Sequence, residues 1–279
     1  MCLDVREFAE AKGRKGMPMT KFRILFGIYN PVAIALLLIA CTLHGEDPKP
    51  AAVAVPDKTV VLTFDDSVAS HATFVGPLLK KLGFGATFFI TEGFEFTKDK
   101  EHYLTWEQIK TLHDDGFEIG NHTRNHTGVG AQAQAALNSD IEYIESQCAA
   151  HGIPRPTSFC YPGYQSSDAA VKLLRERGYK FARAGGAKAF DPAHDEPLTM
   201  PQAFDSKPGC TLEQFAAAVA TAKDGKAAVI TFHGVPDIKH PWVNTDPVLF
   251  EKFMQHLKDE HCTVVAVREL GKYLPGKQP

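Results

Sequence analysis

The sequence predicts an α/β fold, a parallel-stranded barrel of seven or eight strands, on three observations. From Lys58 onward, short apolar runs alternate with helix-like segments. Groups of polar, reactive residues fall just after five of those runs, at the ends where parallel barrels gather their chemistry. The composition is that of a packed domain: of 279 residues, 44% are hydrophobic and 23% charged. That excludes the disordered and collagen-like classes. No repeat of 20–50 residues and no low-complexity tract stands out.

The elements follow in order. Thr59–Phe64 is a β-branched run and reads as a strand. Val68–Leu82 suits a helix stopped by Gly83, and Ala86–Thr91 is a strand. Thr105 opens a helix, with Gln108 three residues on as its capping-box partner, and Gly116 ends it. Phe117–Gly120 is a strand, residues 131–150 a helix, and Thr157–Tyr161 a strand. Ser167–Arg177 is a helix and Tyr179–Arg183 a strand. Thr211–Lys223 is a helix and Ala227–Phe232 a strand. Asp246-Pro247 opens another helix, with Pro at its first position, and Thr263–Val267 is the last strand. Repeated β-then-α order implies a mostly parallel sheet covered by helices.

The first 50 residues differ from the rest. Lys12, Arg14, Lys15, Lys21 and Arg23 form a basic stretch, and the following segment 24–43 carries no charge. This is the pattern of an export signal over residues 1–40. A single membrane anchor is the competing reading, but Asn30-Pro31 leaves the unbroken apolar part short for a span. The run ends in Leu38-Ile39-Ala40-Cys41, which resembles a bacterial lipoprotein box and would make a lipidated Cys41 the first mature residue. An ordinary cleavage site nearby is the alternative. Residues 41–57 contain Pro48, Pro50 and Pro56 and read as a tether, so the folded domain is expected over 58–274. Cleavage takes six basic and three acidic residues from totals of 30 and 33, leaving 24 and 30, a net charge of −6. An acidic body gives no support to nucleic acid as a partner. Membrane contact is expected only through the N-terminal anchor. Cys148, Cys160, Cys210 and Cys262 allow three disulfide pairings in an exported chain, and none has close CxxC zinc-site spacing.

The polar residues at strand ends carry the chemistry. Asp65 and Asp66 follow the first strand. His122 and His126 lie four apart after the third, Tyr161-Pro162-Gly163 closes the fourth, Arg183 the fifth, and His233 follows Phe232. Adjacent strand residues face opposite sides, so Asp65 and Asp66 share a site only if the chain bends there. Two imidazoles and a carboxylate with an open position are a catalytic zinc pattern, which cobalt or nickel also satisfies. Asn121, Thr123, Asn125, Thr127 and Gly128 are poor helix formers, which weakens the reading of His122 and His126 as surface helix residues.

In order and spacing, TFDD, HTRNH, YPG and the late TFH resemble the motifs of the polysaccharide deacetylases, carbohydrate esterase family 4 or NodB-homology domain. The resemblance spans about residues 58–274. It implies a distorted, NodB-like (β/α) barrel and a metal-dependent hydrolase removing N- or O-acetyl groups from an acetylated glycan in the cell envelope or its surroundings. Carried over by position, Asp66, His122 and His126 bind the divalent metal, Asp65 is the general base and His233 the general acid. An oxyanion rests on the metal and on a backbone N–H near Tyr161–Gly163.

The sequence departs from that pattern in three places. Cys160 stands where the family has the Arg that holds the base, and Arg183, one strand later, is the candidate replacement. No clear match exists to the family's Asp and Trp motif, leaving Asp191, Asp195 and Asp205 as candidates to orient His233. Thr231 replaces a Leu that lines the acetyl pocket, and Trp242 either supplies that apolar wall or is a packed loop residue. Two other function classes remain: a non-catalytic carbohydrate-binding relative, and a hydrolase of non-sugar C–N bonds on the same scaffold.

Overall fold

The computed structural model describes residues 53–130 and 133–274. The expected signal, Cys41 and most of the tether lie outside the described residues. Eight strands are present among the described residues: β1 (Thr59–Phe64), β2 (Thr87–Ile90), β3 (Glu118–Asn121), β4 (Ser158–Cys160), β5 (Phe181–Arg183), β6 (Phe204–Asp205), β7 (Ala228–Phe232) and β8 (Thr263–Val265). They lie in the order β5-β4-β3-β2-β1-β7-β6, with every neighbouring pair parallel. The edge of β1 opposite β7 is shared: β8 pairs with Thr59–Val61 and β2 with Thr63–Phe64. No ladder joins β5 to β6 among the described residues; a single bridge runs from Arg183 to Met200. The sheet therefore curves without closing, as the predicted distorted barrel. The two-residue β6 was not anticipated, being too short for any periodicity to mark it.

The period-2 pleat sends each strand's residues alternately to the two sides of the sheet. Val60, Leu62 and Phe64, with Phe88, Ile90, Ile230 and Phe232, face outward and pack under the helices. Those helices are α1 (Gly76–Leu82), α2 (Trp106–Asp114), α3 (Gln134–Ala150), α4 (Asp168–Glu176), α5 (Leu212–Val219) and α6 (Pro247–Asp259). Val61, Phe89, Cys160, Phe181 and Val229 form a second, interior cluster. Side-chain caps fix where most helices begin. Thr105 and Gln108 form the predicted capping box on α2, Thr211 and Gln214 form another on α5, and Ser167 and Asp246 cap α4 and α6. Each such cap is worth about 1 kcal/mol.

Packing begins earlier than the expected boundary at Lys58. Val55 is 2% exposed, joins the interior cluster and bridges Gly225. The Asp57 carboxylate accepts the Asp224 N–H at 3.0 Å. Cys148, Cys160, Cys210 and Cys262 are all unpaired.

Gly120 is the one interior position of β3 without room for a side chain. A Cβ there would lie 2.4 Å from the Phe89 ring. Replacing Gly120 by Ala should destabilise the domain by about 1–3 kcal/mol through overpacking, read as a lower denaturant midpoint with an unchanged slope.

Candidate active site

The inward register continues past the strand ends. Val61 and Thr63 lead to Asp65 on the interior side of β1, as Val229 and Thr231 lead to His233 on β7. Asp65 still donates its N–H to Phe232 O at 3.0 Å. The chain then turns sharply: Asp66 and Ser67 have φ of 72° and 54°, backbone states that cost about 1–3 kcal/mol each. The turn is held by the Ser67 hydroxyl on Thr91 O at 2.8 Å and by Leu104 N–H on Ser67 O at 2.8 Å. Its result is that two consecutive carboxylates, both buried, face one cleft.

The imidazoles come from the end of β3. Asn121 ends the strand, and its side-chain oxygen accepts the Thr123 N–H at 2.9 Å while its amide donates to Ile141 O. The poor helix formers thus make a tight bend, with Thr123 and His126 at positive φ. His126 packs so closely on Gly93 that a Cβ there would lie 2.7 Å from its own Cβ. His122 donates from Nδ1 to Cys160 O at 2.8 Å, which turns Nε2 toward Asp66 as the ring atom free to ligate. The Nε2 atoms of His122 and His126 stand 3.4 and 3.2 Å from Asp66 Oδ1, and that oxygen has no hydrogen-bond partner. Three electron-pair donors lie within 4.8 Å of one another, a set that fits a divalent cation.

Asp65, His122 and Cys160 form a second group of that kind, but Arg183 occupies it. The fully buried guanidinium pairs with Asp65 through Nη2, which also donates to Cys160 Sγ at 2.7 Å. Burial alone would raise the Asp65 pKa. Arg183, the strongest opposing influence, outweighs it and holds the carboxyl below its ordinary value. Burial pushes the Cys160 thiol up despite Arg183, so it remains a thiol, 3.6 Å from Asp65 Oδ2. Asp65 Oδ1 makes no hydrogen bond.

His233 Nε2 lies 4.0 Å from Asp65 Oδ2 and 3.9 Å from Asp66 Oδ2, with the Tyr164 hydroxyl at 3.5 Å. Its backbone carbonyl is 2.9 Å from His71 Nε2. Burial lowers the His71 pKa to about 4, so near neutrality this ring is uncharged and donates from Nε2. Asp65, Asp66, His122, His126, Gly163 and His233 line one cleft of about 220 Å³.

Three expectations change. The Tyr161 side chain lies in the core with its hydroxyl on Leu198 O, and its N–H is spent on Arg183 O. It therefore offers nothing to the cleft, because the pleat turns it away once Cys160 points inward. Pro162 has no N–H and that of Tyr164 goes to Tyr161 O, which leaves Gly163 as the backbone donor of this turn. Trp242 is 65% exposed at the cleft rim, neither a packed loop residue nor an enclosed wall. Asp191 and Asp195 line a separate cavity and pair with His194 and Lys188. Asp205 sits in register with Thr231, with Oδ1 buried and unbonded. Sequence reasoning missed Tyr164, Phe94, His71 and Gln202. Tyr164 adjoins the Tyr-Pro-Gly run and could have been found there; the other three carry no local signal.

With this geometry in hand, a family model described as polysaccharide deacetylase matches residues 52–182. The peptidoglycan-N-acetylglucosamine deacetylase of Bacillus cereus is 30% identical over 129 residues, 44% of this chain and 55% of that protein. The chain spans about half the length of the first curated relatives it matches. Two solved structures share the fold. The chitin deacetylase of the fungal pathogen Colletotrichum lindemuthianum superposes with a TM-score of 0.56 at 20% identity, over 78% of this chain and 89% of that one. The family 4 acetyl xylan esterase of Clostridium thermocellum, solved with a cobalt ion, gives 0.53 at 23% identity over 76% and 89%. Residues 52–182 are thus similar to the polysaccharide deacetylase family.

The buried pair has a measurable stability signature. Arg183→Met leaves a buried carboxylate unpaired and should cost about 3–5 kcal/mol, measured by denaturant titration at neutral pH. The folded pKa of Asp65 lies below its ordinary value of 3.8. Its stabilisation is therefore complete above that value and is lost as pH falls through the folded pKa. The Arg183→Met protein should lack that part of the acid dependence.

Proposed function

We propose that this polysaccharide deacetylase domain is a metal-dependent hydrolase that removes acetyl groups, chiefly N-acetyl, from an acetylated glycan of the cell envelope or its surroundings. The convergence of Asp65, Asp66, His122, His126 and His233 on one cleft carries this reading. Asp66, His122 and His126 would hold the cation, zinc first and cobalt or nickel as substitutes. When bound, the cation supplies Lewis-acid chemistry, acidifying water and polarising an acyl oxygen.

The protein's own groups do the rest. Asp65 takes the proton of the attacking water: its Oδ1 is free, and Arg183 keeps it ionised. The Gly163 N–H donates to the developing oxyanion. His233 gives a proton to the departing sugar nitrogen, which is a poor leaving group without one. His71 fixes the backbone of His233. Phe94, 47% exposed with its ring centroid 4.7 Å from that of His126, and Trp242 give the cleft an aromatic rim for sugar rings. The N-terminal pattern supports export, with attachment through Cys41 where that residue is lipidated. Among the described residues, no helix is long and apolar enough to cross a membrane.

The deciding experiment is an acetate-release screen of metal-reconstituted protein over chitin-type, peptidoglycan-type, β-1,6-linked N-acetylglucosamine and acetylated xylan substrates. Release from at least one is expected; ammonia release from non-sugar amides, or metal uptake with no turnover on any glycan, would overturn the reading. In a companion test, His126→Ala should reduce bound metal to substoichiometric levels by elemental analysis while circular dichroism stays unchanged. Full occupancy in that variant would remove His126 from the ligand set.

A further inference from the structure

We propose that Gln202 and Thr231 are positioning residues for the base: together they hold the Arg183 guanidinium in the one orientation that pins Asp65. The inference rests on the deacetylase reading above. Arg183 ends β5, one free edge of the sheet, whereas Gln202 precedes β6, the other edge. No ladder joins those edges among the described residues; beside the single backbone bridge from Arg183 to Met200, side chains span the gap.

The bonds are specific. Arg183 Nη1 donates to Gln202 Oε1 at 2.7 Å, and the Thr231 hydroxyl donates to the same oxygen at 2.7 Å. Two donors on one atom require the amide to present its oxygen, which fixes the Gln202 side chain. Thr63 Oγ1, 3.3 Å from Thr231 Oγ1, donates to Ile230 O at 2.9 Å. Its proton is thus committed elsewhere and leaves that of Thr231 for Gln202. Arg183, Gln202, Thr231 and Thr63 are all buried. With Nη1 fixed, the planar fork has no freedom left to rotate, and Nη2 is delivered to Asp65 and Cys160 Sγ. A hydroxyl on β7 and an amide before β6 thereby set the position of a carboxylate on β1.

A merely structural network would affect folding alone. Positioning affects turnover at constant binding, because a small displacement of a reacting group is costly. In the full chain with metal bound, Thr231→Val and Gln202→Leu should each lower kcat roughly tenfold or more. KM for an acetylated glucosamine oligomer and metal content should stay unchanged. Thr231→Ser and Gln202→Glu, which keep the oxygen, should restore most of the loss. A second readout needs no turnover: ¹⁵N-arginine spectra should show separate, slowly exchanging Nη proton signals for Arg183, averaged in Thr231→Val and Gln202→Leu. Wild-type kcat in both variants, equal losses for Ser and Val at position 231, or unaltered guanidinium signals would overturn the proposal. If the wild-type protein released no acetate from any glycan, the deacetylase reading would fall. The guanidinium signals would still decide whether Gln202 and Thr231 hold Arg183.

Discussion

Two adjacent carboxylates buried at one strand end are the constraint on which the rest of this site depends. Carboxylates removed from water are expensive unless paired, and Asp65 and Asp66 repel each other besides. The structure separates their compensation. Asp65 receives a buried guanidinium, whereas Asp66 faces two imidazole nitrogens and no fixed cation. The first arrangement is complete within the protein. The second gathers electron-pair donors and is the natural place for a metal. One strand end thus divides into a base and a ligand.

That division explains features that otherwise look unrelated. The positive φ of Asp66 is needed because a regular strand would send the two carboxylates to opposite faces. The thiol at Cys160 leaves space for a guanidinium arriving from β5, and its backbone carbonyl orients His122. Thr231, which would be an odd residue in an apolar pocket wall, is turned instead toward Gln202. Two of the positions at which the sequence departs from the family resemblance, Cys160 and Thr231, therefore belong to one buried network around Arg183.

Much of this was legible in the sequence, for a physical reason. In a parallel barrel every strand's C-terminal end faces the same mouth, so polar residues after apolar runs can be assigned to one site without knowing any distance. Asp65, Asp66, His122, His126, Arg183 and His233 were all reachable by that rule. Tyr161 was misjudged because strand parity, not proximity in sequence, decides which side chain faces inward, and because its N–H was already spent in pairing with β5. Gln202 was invisible because it lies in an irregular segment whose place depends on how far the barrel stays open. The exposure of Trp242 likewise depends on a loop path that no periodicity encodes.

The central claim is that Asp66, His122 and His126 hold a divalent cation while Arg183 closes the neighbouring site at Asp65, His122 and Cys160. Anomalous scattering from crystals grown with zinc tests it directly. The account predicts a single strong peak about 2.0–2.2 Å from one Asp66 oxygen and from Nε2 of both histidines, with Arg183 still paired to Asp65. A peak bound to Asp65 and Cys160 Sγ with Arg183 displaced, or no peak in this cleft at saturating zinc, would contradict it.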